Sequence, residues 1–523
     1  MPMPHWMTPD PVALNARSQP DRLACVDLAT DRRWTYAELD AAIQRAVTVL
    51  TDGYGLRAGQ RAATIARNSA DLLILQQATM RIGAIFVPVN WRLSPAEQQA
   101  ILADGEPALL VRDEAAPRSV PRQGCAAVEV GAFATDVAAA PPAPRRALPS
   151  GDAPSIILYT SGTSGRPKGV ILTERNALAT AINFGVLGRV GNRSVFLCDS
   201  PMFHVIGLLT SLRPPLLQGA TVLISSGFDA GATNRRLADP ALGVTHYFCV
   251  PQMAKMLREQ ADFAPSRWTS LTAIFTGGAP NPAANIRWWL EQGIAMVDGY
   301  GMTEAGTVLG MPIDPQVIAG KGGAAGLAAP LLSIRLVGAD ERDVAPGEPG
   351  ELWIAGPNVT PGYWNRADET ANAFSADGWF RTGDIGRMDE DGFVTLLDRR
   401  KDMFISGGEN VYPAEAEAAL LDHPDIAEVA VIGVADAQWG EVGRAYVVMK
   451  PGRILDAAAL ASHCAARIAR YKVPKTFCPL EALPRTASGK IQKHVLRARE
   501  AAGPDALRVQ QASSECQQGR INE

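Results

Sequence analysis

The segment Tyr159–Val170 combines residue types that can bind a phosphate group. Its five consecutive hydroxyl or glycine residues, Ser161–Gly165, allow the backbone to fold around an anion with amide N–H groups pointing inward, and Lys168 adds a positive charge. The Walker A loop is a different pattern, because it requires a Gly-Lys pair followed by Ser or Thr, whereas Lys168 lies between Pro167 and Gly169. A flexible Gly/Ser connector is the ordinary alternative, but a connector needs neither a flanking strand nor the Pro-Lys-Gly exit. The segment therefore predicts a phosphate cradle.

Two glycine-rich segments further along the chain could bind the rest of a nucleotide. Gly277–Pro280 follows a predicted strand, and glycines at the exit of a strand let a flat ring lie against bare backbone. In Asp298–Glu304, Tyr300 lies between two glycines and could stack on a base, while Thr303 and Glu304 could hold a phosphate and Mg²⁺. A tight turn with a packed tyrosine is the alternative for the second segment.

Three isolated side chains are weaker candidates. His204 lies in the apolar segment 200–207, where a lone histidine is more often a hydrogen-bonded core residue than a ligand. Asp384 follows Gly383 in a predicted turn; a carboxylate there can accept both hydroxyls of a ribose, although turn aspartates usually stabilise the turn itself. Lys490 lies on a glycine-hinged loop, where most lysines are simply solvated. Residue type alone assigns none of the three to a site.

Alternating strand and helix patterns precede the phosphate segment. In chain order they are a helix begun by the capping box Thr35–Glu38, a strand over 61–66, a helix over 70–82, a strand over 83–89, a helix begun at Ser94 and a buried strand over 155–159. This alternation predicts a layered α/β domain with a largely parallel sheet, and such sheets bind ligands at the ends of their strands. Residues 134–154 are rich in proline and alanine and predict a surface connection without a core.

The C-terminal third has a different texture. From Pro346 onward the chain shows short β segments and turns, which predict an antiparallel sheet or small barrel that completes the large domain. The charged residues 398–402 predict a hinge, so that an N-terminal domain over 1–397 is followed by an α+β domain over 403–500. Residues 501–523 predict a disordered tail.

Composition limits the class of protein. A chain of 523 residues exceeds the size of a single core, so at least two domains are expected. A net charge of −4 and a pI near 6 argue against a nucleic-acid-binding or polybasic membrane-binding surface. No stretch reaches the roughly 18 uninterrupted apolar residues of a membrane helix, and the N-terminus lacks the features of a signal peptide, so the cytoplasm is predicted. Seven cysteines without a Cys-x-x-Cys pair and six unclustered histidines predict reduced thiols and no transition-metal site.

Six segments occur in an order that closely resembles the adenylate-forming superfamily, and specifically the acyl-CoA synthetases. The resemblance runs from about Thr35 to Arg497 and is carried by Tyr159–Val170, Pro201–Gly207, Tyr300–Glu304, Gly378–Asp384, Asp398–Pro413 and Pro484–Lys490. Any one segment could arise by chance, but six in register should not. The resemblance implies an α/β fold: a large N-terminal domain of layered α/β sheets with a small β-barrel-like subdomain, followed by a small mobile α+β C-terminal domain.

The resemblance also implies a reaction. In that family a carboxylate attacks the α-phosphorus of Mg·ATP to give acyl-AMP and pyrophosphate, and the thiol of coenzyme A then displaces AMP. The chain would thus be an acid-CoA ligase that uses ATP, Mg²⁺ and coenzyme A. Two rivals are an adenylation enzyme that loads a carrier protein and a catalytically silent binding protein; Lys168, Glu304 and Lys490, all present here, argue against the second. A homodimer stays open.

Individual roles follow from the same resemblance. The phosphates of ATP would be held by Thr160, Ser161, Gly162, Thr163, Ser164, Gly165 and Lys168, with Thr303 at the α-phosphate and Glu304 on Mg²⁺. The nucleoside would be held by Gly278, Ala279, Pro280, Asp298, Gly299, Tyr300, Asp384 and Arg399. Lys490 would neutralise charge in the adenylation step, Lys401 would be the hinge about which the small domain rotates between half-reactions, and Gly407 and Gly408 would line the pantetheine tunnel.

The acyl pocket would be lined by His204, Val205, Gly278, Gly301, Met302 and Val308. Small and apolar residues of this kind favour a sizeable hydrophobic acid, and fatty and aryl acids both fit that description. Gly299 places no positive charge beside Tyr300, which disfavours a dicarboxylate such as malonate. Because one methylene changes binding by only ~1–3 kcal/mol, several acids are expected as substrates.

Overall fold

The computed structural model describes residues 10–114, 125–161, 167–279, 281–399, 402–406, 409–436, 439–485 and 491–501. By its internal contacts the chain divides into two compact units. The first comprises Met1–Arg335, Trp353–Thr382 and Asp391–Val394, and the second comprises Leu336–Leu352, Gly383–Glu390 and Thr395–Glu523. The domain and hinge boundaries predicted from the charged residues 398–402 stay a prediction.

The strands are, in chain order, β1 Leu23–Asp27, β2 Arg32–Thr35, β3 Arg61–Ile65, β4 Ile85–Pro88, β5 Leu109–Arg112, β6 Ala126–Glu129, β7 Pro154–Ser161, β8 Pro167–Thr173, β9 Val195–Cys198, β10 Thr221–Ile224, β11 His246–Cys249, β12 Ala273–Thr276, β13 Met296–Met302, β14 Gly306–Gly310, β15 Leu327–Ala328, β16 Ser333–Val337, β17 Gly350–Ala355, β18 Gly362–Tyr363, β19 Phe380–Met388, β20 Val394–Arg399, β21 Phe404–Ser406, β22 Glu409–Val411, β23 Ile426–Asp436, β24 Gly440–Met449 and β25 Thr476–Pro479.

The α-helices are, in chain order, α1 Pro11–Ser18, α2 Tyr36–Thr48, α3 Ala70–Ile82, α4 Pro95–Gly105, α5 Val130–Ala139, α6 Glu174–Leu187, α7 Arg213–Gln218, α8 Ala230–Leu237, α9 Pro251–Arg258, α10 Ala283–Glu291, α11 Pro315–Gly320, α12 Ala367–Ala373, α13 Pro413–Leu421, α14 Ala457–Ala465 and α15 Lys493–Ala501. Within the described ranges, none of these helices is long and apolar enough to cross a bilayer.

The first unit contains two large sheets. One has seven strands in the order β18-β8-β7-β4-β3-β5-β6, and the other has nine in the order β15-β14-β13-β12-β11-β9-β10-β1-β2. Parallel pairing runs from β7 to β6 in the first sheet and from β13 to β1 in the second, with antiparallel strands at the edges. These layered, largely parallel sheets confirm the predicted α/β fold class.

Local sequence explains the helices between these sheets. The predicted capping boxes at Thr35 and Ser94 are present, with each cap backbone N–H donating to a glutamate side chain at 2.8 Å. Helix α3 spans the predicted residues and is buried from Ala70 to Arg81. One hydrophobic core joins α2 and α3 to strands of both sheets, for example Cys25 of β1 and Phe86 of β4, so α3 is buried nearly all round because it lies between two layers.

The proline- and alanine-rich stretch 134–154 differs from its prediction as a surface connection. Residues 134–139 belong to α5, whose Phe133 and Val137 are buried at 1% and 7% exposure. These two side chains are one helical turn apart and pack into the core that contains α2 and α3, and the alanines around them favour a helix. The irregular connection is therefore restricted to residues 140–153.

Residues 333–399 form a four-stranded sheet in the order β16-β17-β19-β20. Further along, β22-β21-β24-β23 form a sheet to which β25 adds in parallel beside β24. The core of this C-terminal part contains Phe404 of β21, Val429 of β23, Val447 of β24 and Leu460 of α14. The predicted α+β architecture after residue 403 is thus confirmed.

The six cysteines in the described residues are all free thiols. Cys25, Cys198, Cys249 and Cys464 are buried, and Cys125 and Cys478 are half-buried. Desolvation raises the pKa of each of these thiols above its ordinary value. They are therefore protonated at neutral pH.

Candidate active site

The described residues of the predicted phosphate segment belong to two paired strands of the first unit. Strands β7 and β8 pair antiparallel, with Thr160 opposite Lys168 and Ser161 opposite Pro167. Both strands are longer than predicted: β7 continues two residues past Tyr159, and β8 already begins at Pro167. The added residues pair their backbone groups across the two strands. Of the cradle residues, Gly162, Thr163, Ser164 and Gly165 lie outside the described residues.

Lys168 is held by a segment far away in sequence. Strand β18 pairs antiparallel with β8, with Tyr363 opposite Val170, and this places the Tyr363 ring beneath Lys168, whose Nζ lies 5.3 Å from the ring centroid. The Lys168 ammonium also forms an ion pair with the carboxylate of Glu369 on α12. An aromatic face and a carboxylate thus fix the direction of this cation.

Glu304 contacts the same tyrosine. Strands β13 and β14 form a hairpin whose turn is Thr303–Ala305, so the segment predicted as a nucleotide site is a strand followed by a tight turn. The Tyr363 hydroxyl donates to Oε1 of Glu304 at 3.0 Å, and the backbone carbonyl of Glu304 accepts from the N–H of Thr360 at 2.7 Å. We refer to Lys168, Glu304, Tyr363 and Glu369 as the Tyr363 cluster.

The Tyr363 cluster suits a magnesium-bound polyphosphate. Mg²⁺ is usually bound by one or two protein carboxylates together with substrate phosphates, rather than by a full cage of protein ligands. Among the residues that the structure describes, no three His, Cys, Asp or Glu side chains come together as a metal site. The carboxylate of Glu304 and the ammonium of Lys168, which both contact Tyr363, fit the requirement of Mg²⁺ and phosphate together.

The strand ends next to this hairpin provide the features expected for a nucleoside. Strand β12 ends at Thr276, and Gly278 follows with φ of +79°, a backbone conformation that favours glycine. A Cβ at Gly277 would lie 3.0 Å from the carbonyl oxygen of Gly299 on β13, so this glycine is needed for close strand approach. Tyr300 is half-buried on β13, and Ala279 is half-buried beyond Gly278, while Pro280 lies outside the described residues.

Asp298 is buried beneath this surface. Its Oδ1 accepts from the Thr276 hydroxyl at 2.9 Å, and Asn281 donates to the same hydroxyl oxygen at 3.1 Å. Burial raises the pKa of Asp298 to about 7, although the hydrogen bonds from Thr276 and from the Gly299 backbone act in the opposite direction. The carboxyl group therefore titrates near neutral pH.

The residues predicted for an acyl pocket divide into two groups. Gly278 faces the segment after His204: a Cβ there would lie 3.8 Å from Cδ1 of Ile206 and 4.0 Å from Cγ1 of Val250, in ordinary contact. His204 and Val205 are half-buried just before the π-helical turn Ile206–Thr210, and the His204 ring lies edge-on to Phe203 with centroids 4.6 Å apart. Gly278 therefore lies within van der Waals reach of apolar side chains at the end of β12.

The second group lies in the β13–β14 hairpin. A Cβ at Gly301 would lie 2.4 Å from the carbonyl oxygen of Gly306, so the missing side chain makes room for the neighbouring strand. Val308 is fully buried in β14, and Met302 accepts a long contact from the Tyr300 hydroxyl to its Sδ at 3.7 Å.

Other predicted site residues lie in the second unit. Asp384, predicted in a turn, is within β19 and is buried at 6% exposure, and Gly383 before it has φ of +72°. Arg399 is the last residue of β20. Lys401, Gly407, Gly408 and Lys490 lie outside the described residues.

Sequence reasoning missed four residues of the first unit that contact predicted ones. Tyr363, Glu369, Thr276 and Asn281 orient Lys168, Glu304 and Asp298, as described above. Thr276 and Asn281 flank the predicted glycine segment, so its immediate neighbours were a usable signal. Tyr363 and Glu369 carried none, because strand pairing between distant segments brings them to Lys168.

Comparisons with known proteins agree with this architecture. Residues 12–364 match the family model described as AMP-binding enzyme, and residues 415–490 match the AMP-binding enzyme C-terminal domain. The chain is 38% identical to a feruloyl-CoA synthase of Amycolatopsis sp over 89% of this chain and 94% of that protein. It is 35% identical to the long-chain-fatty-acid–CoA ligase FadD13 of Mycobacterium tuberculosis over 94% of this chain and 97% of that one.

Solved structures give the same result. The ATP-bound MatB of Rhodopseudomonas palustris superposes with a TM-score of 0.85 at 30% identity, covering 93% of this chain and 98% of that one. The o-succinylbenzoate CoA synthetase MenE of Bacillus subtilis, in complex with its acyl-adenylate intermediate OSB-AMP, superposes with a TM-score of 0.82 at 32% identity and covers 93% of this chain and 98% of its own. The family model spans well over half of the chain, and so this chain belongs to the AMP-binding enzyme family.

Proposed function

We propose that this chain is an ATP-dependent acid-CoA ligase. It activates a hydrophobic carboxylic acid as acyl-AMP with release of pyrophosphate, and then transfers the acyl group to coenzyme A with release of AMP. The observation that carries the proposal is the Tyr363 cluster, in which Lys168, a side chain suited to phosphate, and Glu304, a side chain suited to Mg²⁺, both contact Tyr363. The proposal is supported by relatives that are named as CoA synthases or ligases and that this chain matches over nearly their whole length.

The first half-reaction requires charge stabilisation and positioning rather than covalent chemistry by the protein. Lys168 would hold the β- and γ-phosphates together with Thr160 and the cradle residues up to Gly165, and Thr303 would contact the α-phosphate. Glu304 would hold Mg²⁺, which when bound neutralises phosphate charge. The Tyr363 hydroxyl, which donates to Glu304, would orient this carboxylate.

The nucleoside and the second half-reaction use the remaining predicted residues. Tyr300 and the backbone of Gly278, Ala279 and Pro280 would enclose adenine, with Asp298 and Gly299 beside them. The proposal keeps the roles implied by the family resemblance for residues of the second unit: Asp384 and Arg399 for ribose, Lys490 for adenylation, Lys401 as hinge, and Gly407 and Gly408 for pantetheine.

The acid substrate belongs to the hydrophobic class. The apolar residues Ile206 and Val250 opposite Gly278 favour an aryl or alkyl group over a second carboxylate. One relative is an indoleacetate–CoA ligase of Aromatoleum aromaticum, at 38% identity, so aryl acids and long-chain acids both occur among enzymes similar to this chain. We propose His204, Val205, Gly278, Gly301, Met302 and Val308 as the acyl-side residues.

The deciding experiment is an AMP-release assay with and without coenzyme A, across ferulic, indoleacetic, benzoic, long-chain fatty and malonic acids. We expect release that depends on ATP, on a hydrophobic acid and on coenzyme A. Pyrophosphate exchange that coenzyme A does not affect would overturn the ligase proposal and point to transfer onto a carrier protein. Activity with malonic acid alone would overturn the hydrophobic substrate class.

We also infer a cytoplasmic enzyme whose oligomeric state is a monomer or a homodimer. Light scattering after size exclusion, at the concentration used in the assay, distinguishes the two by mass, since one chain is 55.6 kDa.

A further inference from the structure

The phosphate lysine already has an anionic partner within the protein. Lys168 forms an ion pair with Glu369, and both side chains are partly accessible, at 26% and 37% of their surface. The same ammonium lies over the Tyr363 ring. The position where the resemblance places the terminal phosphates of ATP therefore lies beside a lysine whose charge a carboxylate partly neutralises.

Several contacts fix Glu369 in this position. It lies in the first turn of α12, which follows β18 directly, and the N–H of Tyr363 donates to the Thr370 hydroxyl at 2.9 Å. Arg366 is 3.8 Å from the Glu369 carboxylate and is itself bound to Asp104 at 2.9 Å. Glu369 thus lies between two cations, Lys168 and Arg366, on a helix anchored to the strand that carries Tyr363.

A purely structural role is the alternative. Acidic residues in the first turn of a helix stabilise it through the helix dipole by about 0.3–1 kcal/mol, and Asp368 in the same turn is an exposed residue of the same charge. The two acids differ in one respect: Glu369 is the one that pairs with Lys168. Any anion that binds Lys168 must displace this carboxylate or share the lysine with it.

We propose that Glu369 is an internal counter-anion of the phosphate site, a positioning residue that acts through Lys168. It holds the lysine in place when no phosphate is bound, competes with the β- and γ-phosphates of ATP, and pairs with Lys168 again as pyrophosphate leaves. This inference rests on the proposed function, because it takes the ligand of Lys168 to be a polyphosphate. Compared with a site that lacks the Glu369 charge, the protein therefore binds both ATP and pyrophosphate more weakly and releases pyrophosphate faster.

The expected size of the effect is modest. Partly exposed ion pairs contribute about 0.2–1 kcal/mol, which corresponds to a change in affinity of up to about fivefold. Replacing Glu369 by Gln keeps its size and its hydrogen-bonding capacity but removes the charge. We expect E369Q to bind ATP and pyrophosphate about two- to fivefold more tightly than the wild type. The affinity for AMP should not change, because AMP lacks the phosphates that compete with Glu369.

The test is calorimetric titration of wild type, E369Q and the control D368N with Mg·ATP, with pyrophosphate and with AMP. D368N removes the same charge from the same turn of α12, so it should leave all three affinities unchanged. Product inhibition by pyrophosphate should strengthen in E369Q alone. Thermal unfolding of both variants measures any effect on α12 separately.

Each contrary outcome identifies what fails. Equal gains for AMP, or equal gains in D368N, would overturn the inference in favour of general electrostatics. A lower melting temperature in E369Q with unchanged affinities would overturn it in favour of a role in helix stability only. Wild-type protein that binds neither ATP nor pyrophosphate would overturn the proposed function itself, and the inference with it.

Discussion

Tyr363 carries more of the proposed site than its place in the sequence indicates. Its hydroxyl donates to Glu304 and its ring lies beneath Lys168, so one side chain contacts both the proposed metal ligand and the proposed phosphate ligand. Groups that orient a metal ligand typically change metal affinity by about 10–100-fold when they are removed. The two functions of Tyr363 can be separated, because phenylalanine keeps the ring and loses the hydroxyl.

We predict that Tyr363→Phe weakens the binding of Mg·ATP about tenfold while metal-free ATP binds as it does to the wild type. Calorimetry with and without Mg²⁺ measures both quantities. Tyr159→Phe is the matched control, since Tyr159 lies on β7 of the hairpin that carries Lys168 and its hydroxyl donates to Asp104 at 2.7 Å. A Tyr363→Phe variant with unchanged magnesium dependence would contradict the role assigned to the hydroxyl.

Asp298 gives a prediction about pH. Burial raises its pKa from 3.8 to about 7. At a pH between these two values, the carboxyl group is therefore protonated in the folded chain and ionised in the unfolded chain. The contribution of this group to stability is therefore complete below pH 4 and decreases as the pH rises to about 7, by an amount on the order of 4 kcal/mol.

We predict that Asp298→Asn removes this slope, because the amide does not titrate. The stability of the variant relative to the wild type should increase between pH 4.5 and pH 7.5. Urea unfolding monitored by tryptophan fluorescence measures it, since Trp268 and Trp289 lie in the core that contains β12 and β13. A constant difference across this range would show that Asp298 has an ordinary pKa.

At the scale of elements, the β13–β14 hairpin places Thr303 and Glu304 through its tight turn. Its strands approach closely because glycines face each other, as the contact of Gly301 with the Gly306 carbonyl oxygen shows. We predict that Gly301→Ala destabilises the protein by about 1–3 kcal/mol and reduces ATP affinity, because a Cβ 2.4 Å from a backbone oxygen forces the strands apart.

The control for that variant is Gly185→Ala. Gly185 lies inside α6, where a Cβ would meet nothing within 4 Å, so alanine should stabilise the helix by about 0.5–1 kcal/mol. Chemical unfolding of both variants measures whether each substitution raises or lowers the free energy of unfolding, and ATP titration measures the change in affinity. If Gly301→Ala proves as well tolerated as Gly185→Ala, the close approach of the strands is not required.

Elements with their own local signals could be predicted from the sequence. The capping boxes at Thr35 and Ser94 and the apolar run of α3 gave the correct helices, because each is decided by residues three or four positions apart. Helix α5 was missed because prolines after Ala140 hid the buried pair Phe133 and Val137. The contacts of Tyr363 could not be predicted, since strand register between distant segments creates them.

At the scale of the whole molecule, the ordered motifs predicted the family and the fold class, and the comparisons confirmed both. Motif order works over the whole chain because every segment must serve the same two-step reaction. The division into units follows a different logic: Leu336–Leu352 and Gly383–Glu390 group with the C-terminal part although Trp353–Thr382 lies between them. Sequence texture at residues 398–402 does not show this interleaving.

The role proposed for Lys490 predicts that its loss affects the two half-reactions differently. We predict that Lys490→Ala slows adenylation by about 10²–10³-fold, because one charged donor to the transition state is lost, while thioester formation from supplied acyl-AMP changes far less. Lys475→Ala is the control, since Lys475 is an exposed lysine on the same C-terminal part. Pre-steady-state assays of each half-reaction measure both rates, and equal losses would contradict separate use of Lys490.

The buried thiols of this protein have a consequence for its chemistry. An acyl-adenylate is a strong acylating agent, and a thiolate is the nucleophile that reacts with it most readily. The six described cysteines are buried or half-buried and are kept protonated by their raised pKa values. An enzyme that makes thioesters must avoid making them on itself, and the burial and raised pKa of the described cysteines disfavour their acylation.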